Sequence, residues 1–227
     1  MIQLTRAEED HVKAVHSLSA GDKAFTKDIA ERLHTKASSV TVMLKKLAEK
    51  GLVKHEPYYG AKLTVKGQAI ALRLVRKHRL WETFLVHRLG FGWDEVHEVA
   101  EQLEHVSSEK LVERLDEYLG HPAFDPHGDP IPDKDGKVKE RLTVPLTRCA
   151  IGDRVRVVAV KEPSDTLLHL LDRKGISIGM LLDVTARQAF DGSLELREKN
   201  GRSYMLSAQV AEHLHVEAAS ARRVEKT

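Results

Sequence analysis

The chain has 227 residues, 41% hydrophobic and 31% charged, a balance that supports a packed core and excludes a disordered chain. No stretch approaches the roughly 18 consecutive apolar residues of a membrane span, and the polar opening MIQLTRAEED lacks a signal-peptide core. One cysteine, Cys149, excludes an internal disulfide framework and points to a reducing cytoplasm. The net charge of +2 hides an asymmetry, with +4 on residues 1–72, −5 on 73–140 and +3 on 141–227. A basic head beside an acidic middle suggests a polyanion reader joined to a collector of cations.

Residues 1–72 read as helices followed by a short β element. Thr5 and Glu8 form a capping box for a first helix carrying Val12, Val15 and Leu18, and Gly21-Asp22 breaks it. Thr26 is expected to cap a short second helix with Ile29, Ala30 and Leu33 on one side. Ser38 or Ser39 is expected to cap a third, whose stripe is Val40, Met43, Leu44 and Leu47, with Gly51 ending it. Two β-prone runs around a Tyr59-Gly60 turn then read as a hairpin.

Residues 73–140 read as helical, with helices expected over 66–89, 94–106 and 107–119 and a proline-rich linker over 126–142. Residues 143–217 change period to short β-prone runs between Gly and Asp turns, which predicts a small all-β barrel. Residues 218–227 read as a tail. The expected class is therefore mainly α with a C-terminal β-barrel.

Helix, turn, second helix and hairpin in that order make the winged helix-turn-helix pattern, a reader of double-stranded DNA. The turn entering the major groove is 36–42: Lys36, Ser38, Ser39, Thr41 and Val42 lie in it, with Lys45 and Lys46 beyond. Its hydroxyls can donate to phosphates or base edges, and the lysines, with Lys54 and Lys62, supply the salt-sensitive affinity. No Arg, Asn or Gln lies there, so bidentate base readout is sparse.

The acidic middle carries His97, Glu101, Glu104 and His105 at offsets of 4, 7 and 8, one face of a helix, and the preceding helix adds His78 and Glu82. Carboxylates with few imidazoles suit six-coordinate Mn(II) and Fe(II) more than tetrahedral Zn(II). An enzyme is not expected. Glu101-x-x-Glu104-His105 lacks the first histidine of the H-x-x-E-H zinc-peptidase pattern, no E-x-x-H pair serves a di-iron centre, and no phosphate-binding loop or nucleophile elbow occurs. Cys149 reads as a packed thiol.

The winged helix-turn-helix, then RKHRLWETFL, VHEVAEQLEHVSSEKLVERL and DPHGDPIP before a small barrel, resembles the diphtheria toxin repressor (DtxR/MntR) family of metal-dependent transcriptional repressors, over about residues 5–217. The resemblance implies a homodimer joined through the middle helices and a barrel like the iron-transport FeoA domain. It implies a primary metal site at Asp10, Glu101, Glu104 and His105 and an ancillary site at His78, Glu82 and His97, hence two ions per subunit. Iron-sensing members carry Met and Cys where this chain has Asp10 and Glu101, so Mn(II) is expected ahead of Fe(II). Lys13 stands where two-domain manganese regulators have a further Glu ligand, so their two-metal cluster is not expected. Three-domain members draw further ligands from the barrel, for which Glu162 and Asp165 are the candidates.

The functional expectation is a cytoplasmic, metal-dependent repressor that binds an operator as a homodimer, without membrane or small-molecule substrate. The alternative is a cytosolic metal-buffering protein with no specific DNA recognition.

Overall fold

The computed structural model describes residues 3–19, 23–56 and 59–219, and the chain divides into two compact units. The first comprises Met1–Trp81, Ala100–His121 and Ile131–Val138; the second comprises Glu82–Val99, Pro122–Pro130 and Lys139–Thr227. The Gly21-Asp22 break lies outside the described residues.

The first unit opens with three helices, α1 (Arg6–Leu18), α2 (Thr26–Arg32) and α3 (Ala37–Glu49). The Thr5–Glu8 capping box forms in both directions. Val12 and Val15 meet Ile29 from α2 and Val40, Leu44 and Leu47 from α3 in one core, all fully buried. Burying each such side chain contributes roughly 1.5–3 kcal/mol. Strands β1 (Val53–Glu56) and β2 (Gly60–Leu63) pair antiparallel from Val53–Leu63 to Glu56–Gly60. Ala24 bridges to Ala61, so the segment before α2 holds the wing in place.

Two expected caps differ. Helix α2 starts behind Phe25 and α3 behind Lys36, neither with a side-chain cap. Thr26, Ser38 and Ser39 thus stand inside the first helical turns, because the extended backbone at Phe25 and Lys36 turns the chain one to three residues earlier. Gly51 takes the left-handed conformation after α3, as its position requires.

Glu8 is fully buried between α1 and α3, accepting hydrogen bonds from Lys50 (2.6 Å) and the Thr5 backbone N–H, with Lys46 3.1 Å away. Burial pushes its pKa up, but the Lys50, Thr5 and Lys46 contacts overcome this and hold the carboxyl at about 2. A depressed pKa stabilises the fold fully above the ordinary carboxylate range, and the contribution disappears as pH falls through about 2. Glu8→Gln is expected to cost about 3 kcal/mol at pH 7. Thermal unfolding of parent and variant should converge as the pH approaches 2; a gap that persists unchanged would contradict the ion-pair account.

Helix α4 (Val65–Leu89) runs through both units and is followed by α5 (Val96–Leu103) and α6 (Glu109–Tyr118), the latter capped by Ser108. Helix α5 is shorter than expected at both ends. Glu104 and His105 fall in the turn after it rather than on its face, which frees both side chains from the helical spacing.

The second unit holds a six-stranded antiparallel sheet, β3 (Val144–Pro145), β4 (Arg154–Val160), β5 (Leu181–Arg187), β6 (Leu194–Glu198), β7 (Ser203–Leu206) and β8 (Leu214–Ala218), in the order β3-β8-β4-β5-β6-β7. The sheet is open, with β3 and β7 as its edges, so the expected barrel is corrected to an open antiparallel sheet. Two helices also interrupt the expected all-β stretch, α7 (Asp165–Lys174) and α8 (Ala208–His213). Leu168 and Leu171 of α7 and Ala211 of α8 cover the sheet's apolar face with Leu182, Leu194, Leu196, Leu206 and Leu214. Cys149 is buried at this core. Ala218 ends β8, and the rest of the expected tail from residue 220 lies outside the described residues.

Strand β4 is buried on both faces at its far end. Its other face carries the proline-rich segment, where a side chain at Gly128 would meet the Val158 carbonyl oxygen at 2.0 Å. His127 accepts the Val160 N–H through its carbonyl, which fixes the segment as an extra layer on β4.

Candidate metal centre

In the first unit, Asp10 on α1 meets Glu104 and His105 after α5, their ligand atoms all within 4.8 Å of one another. His105 Nε2 lies 3.2 Å from Asp10 Oδ1 and 3.8 Å from Glu104 Oε1. Its other nitrogen, Nδ1, is 2.7 Å from Glu9 Oε2. A carboxylate accepts, so Nδ1–H donates to Glu9, and in the neutral ring that tautomer leaves Nε2 as the atom able to ligate an ion. Glu9 thereby fixes the orientation of the His105 ring, the service a carboxylate gives to metal-binding histidines in general. It adjoins Asp10 on α1, but nothing in the linear spacing pairs it with His105 across 96 residues.

Glu104 is almost wholly buried. Its Oε2 accepts from His78 Nδ1 and from Lys13 Nζ, both at 2.6 Å. Burial raises its pKa, but the His78 hydrogen bond and the Lys13 charge prevail, so it ionises below the usual carboxylate range. Asp10 moves the other way: burial, joined by the neighbouring Glu104 charge, raises its pKa against the opposing pull of His105, Arg6 and Lys13. Glu101 lines the same cavity of about 200 Å³ with a half-exposed carboxylate, 3.9 Å from Lys13, outside the trio. The cavity is also lined by Arg6, Arg32 and His34. Two carboxylates and one imidazole nitrogen, converging within 4.8 Å, fit a six-coordinate, oxygen-preferring divalent ion.

The second unit gathers another set. Glu82, buried on α4, lies 3.2 Å from His97 on α5 through His97 Nδ1. Buried Asp125 and His127 bring their ligand atoms within 4.8 Å of Glu82 and of each other. His127 Nε2 donates to the Trp93 carbonyl at 2.7 Å and its ring stacks on Trp93, which leaves Nδ1 as the free ligand atom. One Asp125 oxygen accepts the N–H groups of His127 and Asp129, a turn that sets the carboxylate in place. Asp125 and His127 lie in or beside the segment expected to be a proline-rich linker and are not among the expected ligands; their one mark in the sequence is a histidine among acids in DPHGD. His78 stands one α4 turn before Glu82 on the same helix, and its Nδ1 is engaged by Glu104. Glu162 and Asp165 are exposed, Asp165 opening α7 behind the Ser164 cap, and neither joins a ligand group among the described residues.

On the head, α3 presents Ser38, Val42 and Lys45 on its outer face, with Lys36 and Ser39 also exposed. Thr41 Oγ1 donates back to the Ala37 carbonyl and keeps only acceptor capacity for a partner. Lys46, expected at phosphate, pairs with Glu8, which sits below it in the core and draws the ammonium inward.

Residues 3–61 match the iron dependent repressor N-terminal DNA binding domain, 64–133 its metal binding and dimerisation domain, and 144–218 the FeoA domain. The iron-dependent repressor IdeR of Mycobacterium leprae is 32% identical over 186 residues, 76% of this chain and 81% of its own. The chain belongs to the iron-dependent repressor family. The diphtheria toxin repressor of Corynebacterium diphtheriae is 28% identical, over 96% of this chain and 99% of its own. A solved structure described as a manganese-dependent transcriptional repressor complex with manganese superimposes with a TM-score of 0.83 at 38% identity, covering 93% of this chain and 99% of that one. The structure of the manganese regulator SloR gives 0.71 at 34% identity, covering 95% and 100%. The repressor-family chain thus has relatives described for either metal.

Proposed function

We propose that the chain is a metal-gated transcriptional repressor that binds operator DNA as a homodimer in the cytoplasm, with Mn(II) preferred over Fe(II). The observation that carries this reading is the trio Asp10, Glu104 and His105: one ligand comes from the first helix of the DNA-binding head and two from the turn after α5. When bound, a divalent ion supplies the positive charge that these carboxylates share. Asp10 then holds α1 to the α5 turn, and α1 carries α3 with it through Glu8, Lys46 and Lys50. In a dimer, that order would hold two recognition helices about one DNA turn apart, ~34 Å. The carboxylate-rich donor set supports manganese over zinc. Glu82, Asp125 and His127, with His97 at Glu82, support a second ion per chain. Among the described residues no helix is long and apolar enough to cross a membrane.

The test is anisotropy of a labelled duplex from the region upstream of the protein's own gene, at several salt concentrations, with chelator, Mn(II), anaerobic Fe(II) or Zn(II). Binding that appears with Mn(II) and weakens steeply with salt supports the repressor reading. Metal binding without any metal-dependent duplex binding would favour a buffering protein.

Base readout by α3 falls to Val42, 68% exposed at the centre of its outer face. An exposed β-branched side chain there suits the C5-methyl of thymine. Replacing the facing thymines by deoxyuridine removes only that methyl and is expected to weaken binding about fourfold per contact, at ~0.8 kcal/mol per buried carbon. Val42→Ala should be insensitive to the exchange; equal losses in both proteins would place the methyl contact elsewhere.

A further inference from the structure

Lys13 lies one helical turn beyond Asp10 and sets its ammonium directly against the carboxylates of this centre. Its ammonium is 2.6 Å from Glu104 Oε2, 3.3 Å from His78 Nδ1 and 3.9 Å from Glu101 Oε1. Its side chain is 15% exposed and that of Glu104 only 2%. A carboxylate so buried is costly without a cation, and Lys13 supplies one from the same chain. The two oxygens of Glu104 are thereby divided. Oε2 is taken by Lys13 and His78, and Oε1 faces His105.

We propose that Lys13 is a tethered counter-cation that sets the metal threshold of the Asp10–Glu104–His105 site, weakening divalent-ion binding by satisfying Glu104 in advance. The inference rests on the metal-site reading above. Two effects act in the same direction. Lys13 stabilises the metal-free state, and its charge stays next to the arriving ion, where little solvent screens the repulsion. The response is therefore moved to a higher free-ion concentration than the ligands alone would give.

The test is a Mn(II) titration of the full chain, with free Mn(II) read by electron paramagnetic resonance and no DNA present. Asp10→Ala first identifies the class of ions that belongs to this site. For that class, Lys13→Met is expected to bind Mn(II) at least about tenfold more tightly, and Lys13→Arg, which keeps the charge, to stay within about threefold of the parent. Lys13→Gln gives a second neutral variant should the methionine chain fail to fold, judged by circular dichroism. An Asp10-dependent class whose affinity is unchanged or weaker in the neutral variant overturns the Lys13 proposal alone. No class lost in Asp10→Ala overturns the site reading and this proposal with it.

Discussion

Asp10→Ala is expected to keep the fold and the dimer and to lose metal-dependent operator binding by about a hundredfold, near the upper end of ordinary coupling between two sites. The fold should survive because Asp10 is partly exposed and lies at the rim of the cavity, away from the core of Val12, Val15 and Ile29. The coupling should vanish because Asp10 is the member of the trio that belongs to α1. Without it, Glu104 and His105 still offer an ion two donors, but filling them no longer involves the head. Lys13 continues to hold Glu104, so the variant's affinity for DNA should equal that of the chelated parent. Fluorescence anisotropy with and without Mn(II) checks this; a variant that still responds fully to metal contradicts the linkage through α1.

Glu82→Gln is the second large expected effect. Glu82 is buried and shared: His97 approaches it from α5, and Asp125 and His127 approach it from the proline-rich segment. A neutral amide keeps the volume and removes the charge that would balance an ion against Asp125. Mn(II) bound per chain is expected to fall from two ions to one near saturation of the Asp10 site, with affinity at the lost site down by about a hundredfold. Equilibrium dialysis with metal analysis counts the ions. Two ions retained in Glu82→Gln would show that this set is an acidic cluster held by hydrogen bonds.

The head was largely legible because its signals are local. The Thr5–Glu8 box, the Val40, Leu44 and Leu47 stripe and the Gly51 stop each act within a few residues. Starts without a side-chain cap were the exception, since Phe25 and Lys36 carry no chemical mark of the extended backbone that opens α2 and α3. In the second unit the change to a period of two was visible, yet SDTLLHLLDRKG also carries a Ser cap, Leu168 and Leu171 three apart and a left-handed Gly175. Neighbouring β-prone runs concealed that helix. Closure of the sheet depends on which edges pair, and no local pattern encodes it.

The site divides along the same line. His97, Glu101, Glu104 and His105 stand out by spacing, but the helix ends at Leu103, and the turn that follows aims Glu104 and His105 at α1 instead of along one face. Glu9 and Lys13 act across roughly 90 residues of chain, beyond the reach of any periodicity. Asp125 and His127 looked like loop residues because proline-rich sequence has no regular structure. Their burial comes from the layer the segment forms on β4, where only glycine fits at 128.

In the proposed function, Asp10, Glu104 and His105 make metal binding and operator binding one equilibrium. The most direct test is Mn(II) affinity of the parent chain measured twice at fixed salt, without DNA and with saturating operator duplex. Linkage requires the duplex to tighten Mn(II) binding by the same factor, about a hundredfold, by which Mn(II) tightens DNA binding. Equal Mn(II) affinity with and without the duplex would contradict the account.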